Sequence, residues 1–335
     1  MSNELTSYTL FGAEALRQRL PALNAQLAGV RTADDIEAIH QLRVATRRLR
    51  AAFTLFADCL PNKRGDEWQR EIKRITKALG AARDTDVQFA WLRQFLARAT
   101  DPAWRPGINQ LLLRLHQQRQ HLQIEVITAL DRLEISRTLD DLETLLRDQV
   151  VQARLHHVDP YTPEVYLRAA AAIRLRLEHF LAYNGCVYQP EHNTELHAMR
   201  IAAKRLRYTL EIFAELYPDT LKPPIKAVKE MQDLLGDLHD SDVWIAFVPQ
   251  FMREERARAT DYFGVDTYAD RFTPGLLALQ ADRQQYRRQC YENFVTAWER
   301  ALADEVWNKL RQGLTVDAPP TDPEAAPPDT SIEAG

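Results

Sequence analysis

The chain has 335 residues, enough for one large domain or two half-sized ones around a substantial core. Its 45% hydrophobic and 27% charged residues, with only 11 glycines, describe a globular protein rich in helix formers. Cys59, Cys186 and Cys290 are widely separated and odd in number, which argues against a disulfide framework or a cysteine zinc site and fits a reducing compartment.

No uncharged apolar stretch approaches the roughly 20 residues that span a bilayer. The start MSNELTSYTLFG lacks the basic-then-apolar order of a signal peptide, so the expected location is cytoplasmic. The formal net charge of -4 speaks against a polyanion binder until its distribution is considered. Asp317, Asp322, Glu324, Asp329 and Glu333 lie in the last stretch, which has no Lys or Arg; without these five acids, -4 becomes +1.

Helical periodicity in chain order predicts helices at about 11–29, 34–60, 64–80, 85–99, 106–130 and 135–155. After the proline-marked break His156–Pro163, further helices are predicted at about 164–183, 194–217, 224–237, 241–258 and 275–311. Asn193 is expected to cap one of them, and Pro223-Pro224 to open another. Residues 313–335, rich in proline and acid, read as a disordered tail. No strand run stands out. The expected organisation is a first helical half over 1–155, a second over 160–312, and the tail.

The halves repeat. HQLRVATRRLRAAFTLFADCLP from His40 and HAMRIAAKRLRYTLEIFAELYP from His197 share nine identities in 22 positions at an offset of 157. IKRITKALGAARDTDV from Ile72 and VKEMQDLLGDLHDSDV from Val228 share six in 16 at an offset of 156. An internal duplication predicts two similar helical bundles about an approximate two-fold axis.

On a wheel of about 100° per residue with His40 at zero, Arg47, Arg43 and Arg50 fall near -20°, -60° and -80°. Leu42, Leu49, Phe53 and Phe56 fall opposite, between about 160° and 220°. His197, Arg200, Lys204 and Arg207 form the same cationic arc in the repeat, opposite Met199, Leu206, Leu210 and Phe213. A basic stripe is ordinarily a solvated face. Such faces usually mix signs, yet residues 38–57 and 196–210 contain no Asp or Glu at all. Clustered like charges repel unless an anion approaches. Lys73 and Lys77 with Arg70, and Lys226 with Lys229, extend the theme on the next helix. Arg83 aligns with His239. Arg48 and Arg205 lie on the flank, suited equally to pairing with acids.

His239-Asp240 spells the dipeptide of metal-dependent phosphohydrolases, but its counterpart is Arg83-Asp84, and arginine does not ligate metal. Asp84 and Asp240 are instead expected to cap the helices that follow, with Asp86 and Asp242 in their first turns. No phosphate-binding glycine loop, dinucleotide fingerprint, zinc-protease motif or nucleophile elbow occurs. No catalytic residue, metal ligand or cofactor is therefore expected.

HQLRVATRRLR and HAMRIAAKRLR resemble the defining motif of the CHAD family, the conserved histidine α-helical domain. The K-x(6)-G segments Lys73–Gly80 and Lys229–Gly236 match as well, and the likeness runs from about Leu10 to Leu310. It implies an all-α fold of two pseudo-symmetric bundles around a basic central cavity. It also implies inorganic polyphosphate as ligand and association with polyphosphate granules. Carried over by position, the binding residues are His40, Arg43, Arg47 and Arg50 with His197, Arg200, Lys204 and Arg207, joined by Lys73 and Lys229. From the charge pattern Lys77, Lys226 and His239 are added. The family often has a triphosphate-tunnel domain upstream, marked by E-x-E-x-K; that motif is missing here, so the stand-alone form is expected. Competing readings are a nucleic-acid binder, a metal-dependent phosphohydrolase and a helical scaffold for an acidic protein. The first would want aromatics among the cations, and the arcs read as having none.

Overall fold

A computed structural model describes residues 6–32 and 36–314. Among these residues the fold is all-α, with no strand and with twelve α-helices. In the first half they are α1 (Ser7–Arg17), α2 (Leu20–Asn24), α3 (Leu27–Thr32), α4 (Ile36–Leu55), α5 (Asn62–Arg98), α6 (Arg105–Ile135) and α7 (Thr138–Leu155). In the second they are α8 (Pro163–Leu181), α9 (Asn193–Ile212), α10 (Pro218–Phe263), α11 (Thr273–Ala303) and α12 (Val306–Gly313).

The largest departure from the periodicity reading is that two predicted breaks do not exist. Helices expected at 64–80 and 85–99 are one helix, α5, and those at 224–237 and 241–258 are one helix, α10, of 46 residues. Asp84, Asp86, Asp240 and Asp242 are therefore mid-helical and cap nothing. Glycine inside a helix costs only about 1 kcal/mol, and three of the four aspartates gain arginine partners instead. Arg43 reaches Asp84 at 3.3 Å, Arg119 reaches Asp86 at 2.8 Å, and Arg287 pairs with Asp242. Pro223 and Pro224 likewise sit inside α10, which begins at Pro218. Asn193 is the first residue of α9, and its side-chain oxygen accepts a hydrogen bond from Arg287.

Conversely, the helix expected at 11–29 is three short ones, with Pro21 opening α2. The helix expected at 275–311 stops at Ala303, and Glu305, in the left-handed region at φ 54°, turns the chain into α12. Arg137, at φ 51°, makes the equivalent turn between α6 and α7. The tail reading begins too early: Gly313 ends α12, and Leu314 is buried with its carbonyl accepting from Arg174 at 3.1 Å. Residues 315–335 lie outside the described residues.

The halves are not separately cored. Phe11 of α1 lies 5.8 Å from Phe213, just beyond α9, and Phe56, just beyond α4, lies 6.0 Å from the same ring. One continuous core thus joins both halves around α4 and α9. In a second core α5 supplies Leu92 and Phe95, α6 Ile108 and Leu111, α10 Trp244 and Val248, and α11 Leu276 and Leu279. Beside this core two glycines meet reciprocal partners. A β-carbon on Gly107 would overlap the carbonyl of Phe272, and one on Gly275 that of Trp104. Only glycine lets α6 and α11 cross so closely. Any larger residue must push backbone against backbone, an overpacking cost of about 1–3 kcal/mol or more.

Candidate functional site

The core arcs read from sequence are buried as expected. Leu42, Leu49, Phe56, Met199, Leu206, Leu210 and Phe213 have no measurable exposure. With these faces fixed inward, the opposite faces of α4 and α9 present their cations. The two helices pack on each other, and each packs along its successor, α5 or α10.

The arcs meet. The guanidinium of Arg47 lies 5.7 Å from the ring centre of Tyr208, and that of Arg207 lies 5.1 Å from the same ring. Burial lowers the Arg47 pKa, and Arg43, Arg207 and Arg200 add repulsion. Lys204 is affected most. Its burial, followed by the charges of Arg47, Arg200, Arg43 and Arg207, pushes its pKa down to about 7. Five cations from two helices thus share one electrostatic neighbourhood, here called the seam. Among the described residues, Arg47, Arg200 and Lys204 have no carboxylate partner in an ion pair. Arg43 has Asp84, and Arg207 stands 3.5 Å from Glu211. The Arg207 Nε–H is buried with no hydrogen-bond acceptor.

The glycines of the K-x(6)-G segments have a visible purpose. A β-carbon on Gly80 would touch Arg43 Nε at 3.8 Å, and one on Gly236 would touch Arg200 Nε at 3.7 Å. Each motif arginine lies across the next helix where that helix has no side chain. Alanine fits there; a longer side chain would move the guanidinium.

Each motif histidine faces the matching position of the following helix. His197 Nδ1 and His239 Nδ1 are 3.0 Å apart, so one ring donates to the other. Burial and His197, with Arg200 and Lys204, push the His239 pKa down to about 4. His197 is lowered by burial and by Arg200 and Lys204. His40 is lowered by burial, then by Arg83, and also by Arg43 and Arg47. A cationic, partly buried setting favours neutral imidazole at these positions.

Other predicted residues lie farther out. Lys73, Lys77, Lys226 and Lys229 are solvent-exposed, with no ion pair or hydrogen bond to the seam among the described residues. Arg50 is lowered by burial alone, not by the other cations. Arg48 makes the flank pairing expected of it, with Glu211 at 4.0 Å. Among the described residues, no group of three or more His, Cys, Asp or Glu is placed to hold a metal ion.

One seam residue escaped the sequence reading. Tyr208 is an aromatic among the cations, where the arcs were read as having none. It is only 8% exposed and its faces carry Arg47 and Arg207, so it shapes the cluster rather than offering a stacking surface for a base. Its counterpart in the first half is Ala51, so the repeat comparison alone hides it.

An all-helical fold whose paired motif helices bring arginines and lysine together defines a class, and comparison with known proteins names it. The CHAD domain profile matches residues 14–249, and the chain belongs to the CHAD domain family. It is similar to the uncharacterized proteins MT2285 and Rv2226 of two Mycobacterium tuberculosis strains (CDC 1551 / Oshkosh and H37Rv). Each is 28% identical over 274 residues, 81% of this chain and 50% of the relative. The chain therefore spans about half the length of the curated relatives it matches. Among solved structures, the CHAD domain from the plant Ricinus communis superposes with a TM-score of 0.61 at 24% identity, covering 86% of this chain and 92% of that one. PptA from Streptomyces chartreusis gives 0.56 at 17% identity, covering 88% and 99%. At these identities both show the fold alone. No described helix is long and apolar enough to cross a membrane.

Proposed function

We propose that this chain binds inorganic polyphosphate without turning it over, through the seam formed by Arg43, Arg47, Arg200, Lys204 and Arg207. The observation that carries the reading is the gathering of these like charges from two helices, with no ion pair to Arg47, Arg200 or Lys204 among the described residues. Such a cluster costs stability unless an anion neutralises it. A flexible chain with about one charge per phosphate can follow it, taking forked hydrogen bonds from arginine and point-charge contacts from lysine. Lys73, Lys77, Lys226 and Lys229 offer outer contacts for a chain leaving the seam. Membership in the CHAD family supports this ligand. The basic central cavity implied by that resemblance belongs to the same proposal, as does a cytoplasmic location on polyphosphate granules.

The test is fluorescence anisotropy of end-labelled long-chain polyphosphate at several salt concentrations. Five engaged cations give an expected log–log slope of about -3 to -4, by the single-strand coefficient of about -0.7 per contact. Between about 50 and 200 mM salt the affinity should fall about a hundredfold. A slope near zero would remove the electrostatic basis of the proposal.

A further inference from the structure

A second cationic feature lies away from the seam, in the groove between α8 and α9. This groove has a volume of about 410 Å³, within the range of small-molecule sites. Arg176 and Arg205 stand on its two walls, with His179 and Tyr183 beside them and Ile201 and Ala202 in its floor. Neither arginine side chain has a carboxylate or hydrogen-bond partner among the described residues. The pKa of Arg176 is lowered by burial and by the charge of Arg205, so the two guanidiniums repel across the groove.

The other half treats the same place differently. At the offset of 157, Ile201, Ala202 and Arg205 correspond to Val44, Ala45 and Arg48 of α4. There Arg19 stands at the position of Arg176 and feels the charge of Arg48, and Arg48 pairs with Glu211 at 4.0 Å. The acid that pairs with Arg48 has no equivalent beside Arg205 among the described residues.

We infer that the α8–α9 groove binds a small phosphomonoester carried on a flat apolar ring, with the phosphate between Arg176 and Arg205 and the ring over Ile201 and Ala202. Two facing guanidiniums match one phosphate, while the apolar floor rewards a ring that a bare phosphate chain lacks. The inference goes beyond the polyphosphate reading and stands apart from the seam.

Calorimetric titration of the full chain with adenosine 5′-monophosphate and with 1-naphthyl phosphate tests it. At least one of them should bind, with adenosine, naphthalene-1-ol and inorganic phosphate about tenfold weaker or worse. Arg176→Gln with Arg205→Gln should weaken the phosphomonoester about tenfold or more, since two charge-assisted contacts are lost. Arg200→Glu with Lys204→Glu, in the seam, should leave it unchanged. Circular dichroism confirms that the variants are folded. Failure of both phosphomonoesters to bind, binding that survives the glutamine pair, or binding lost only in the seam variant would each overturn the assignment. None of these outcomes depends on whether polyphosphate binds.

Discussion

Replacing Arg200 and Lys204 by glutamate is expected to weaken polyphosphate binding at least a hundredfold, and Arg43 with Arg47 likewise. Each substitution removes a charge-assisted contact, about 1.5–3 kcal/mol when partly shielded, and sets a negative charge against the same ligand. The effect should cross the halves, because Lys204 feels Arg47 and Arg43 as well as its own neighbours. A glutamate at 204 would therefore pair with Arg47 and Arg43 and withdraw them from ligand. The fold should survive or gain, since either pair of reversals relieves like-charge repulsion in the unliganded protein. Isotherms with labelled polyphosphate, beside thermal melts of the same variants, read both effects. Reversal at Arg17, outside the motif, serves as the control and should change affinity little. Folded seam variants that bind like the original protein would reduce the seam to a solvated surface.

Affinity is expected to fall as pH rises from about 7 to 9, through Lys204 rather than through histidine. The free lysine titrates at about 7 because it is buried among arginines. A phosphate beside it favours the charged form and returns its pKa toward the ordinary value of about 10.4. The bound state thus holds the proton over a range where the free state has lost it. By linkage, affinity drops as much as tenfold per pH unit above about 7 and is flat in this contribution below it. Lowered histidine pKa values place any further gain below the usual imidazole range, with His239 charging only toward about 4. Long chains suit the measurement because chain-end phosphates, which gain charge over this range, are then few. Lys204→Arg, charged throughout, should keep the affinity and flatten the profile. A wild-type profile as flat as that of the arginine variant would show that Lys204 is not the titrating contact.

The repeat and the wheel made much of this site legible. Core positions such as Leu49 and Leu206 recur at helical spacing, and their burial forces the opposite faces to carry the cations outward. That logic holds within one helix. It does not say how two helices pack, so the meeting of Arg47 with Arg207 over Tyr208 could not be read from either motif alone. Local signals misled at Asp84 and Asp240. Aspartate after a glycine-containing segment has the chemistry of a cap, and only tertiary partners such as Arg43 turn it into a mid-helical ion-pair residue. The histidines show the same limit: typical imidazole titration is a property of exposed rings, whereas His197 and His239 sit partly buried against each other among cations. Gly80 and Gly236 stand out as matched positions, but their purpose, room for Arg43 and Arg200, lies in how α4 packs on α5 and α9 on α10. The close crossing at Gly107 and Gly275 joins residues far apart in sequence and gave no local signal.

The central claim is that the seam selects a phosphate chain, and the most direct measurement is a competition titration. Labelled long-chain polyphosphate bound to the full chain is displaced, at fixed salt and pH, by unlabelled polyphosphate, single-stranded DNA, RNA and orthophosphate matched in total phosphate. The expected result is displacement by polyphosphate at concentrations at least about tenfold below those needed for either nucleic acid, since the buried Tyr208 offers no stacking surface, and no displacement by orthophosphate. Equal or stronger displacement by DNA or RNA would contradict it and make the seam a general polyanion or nucleic-acid surface.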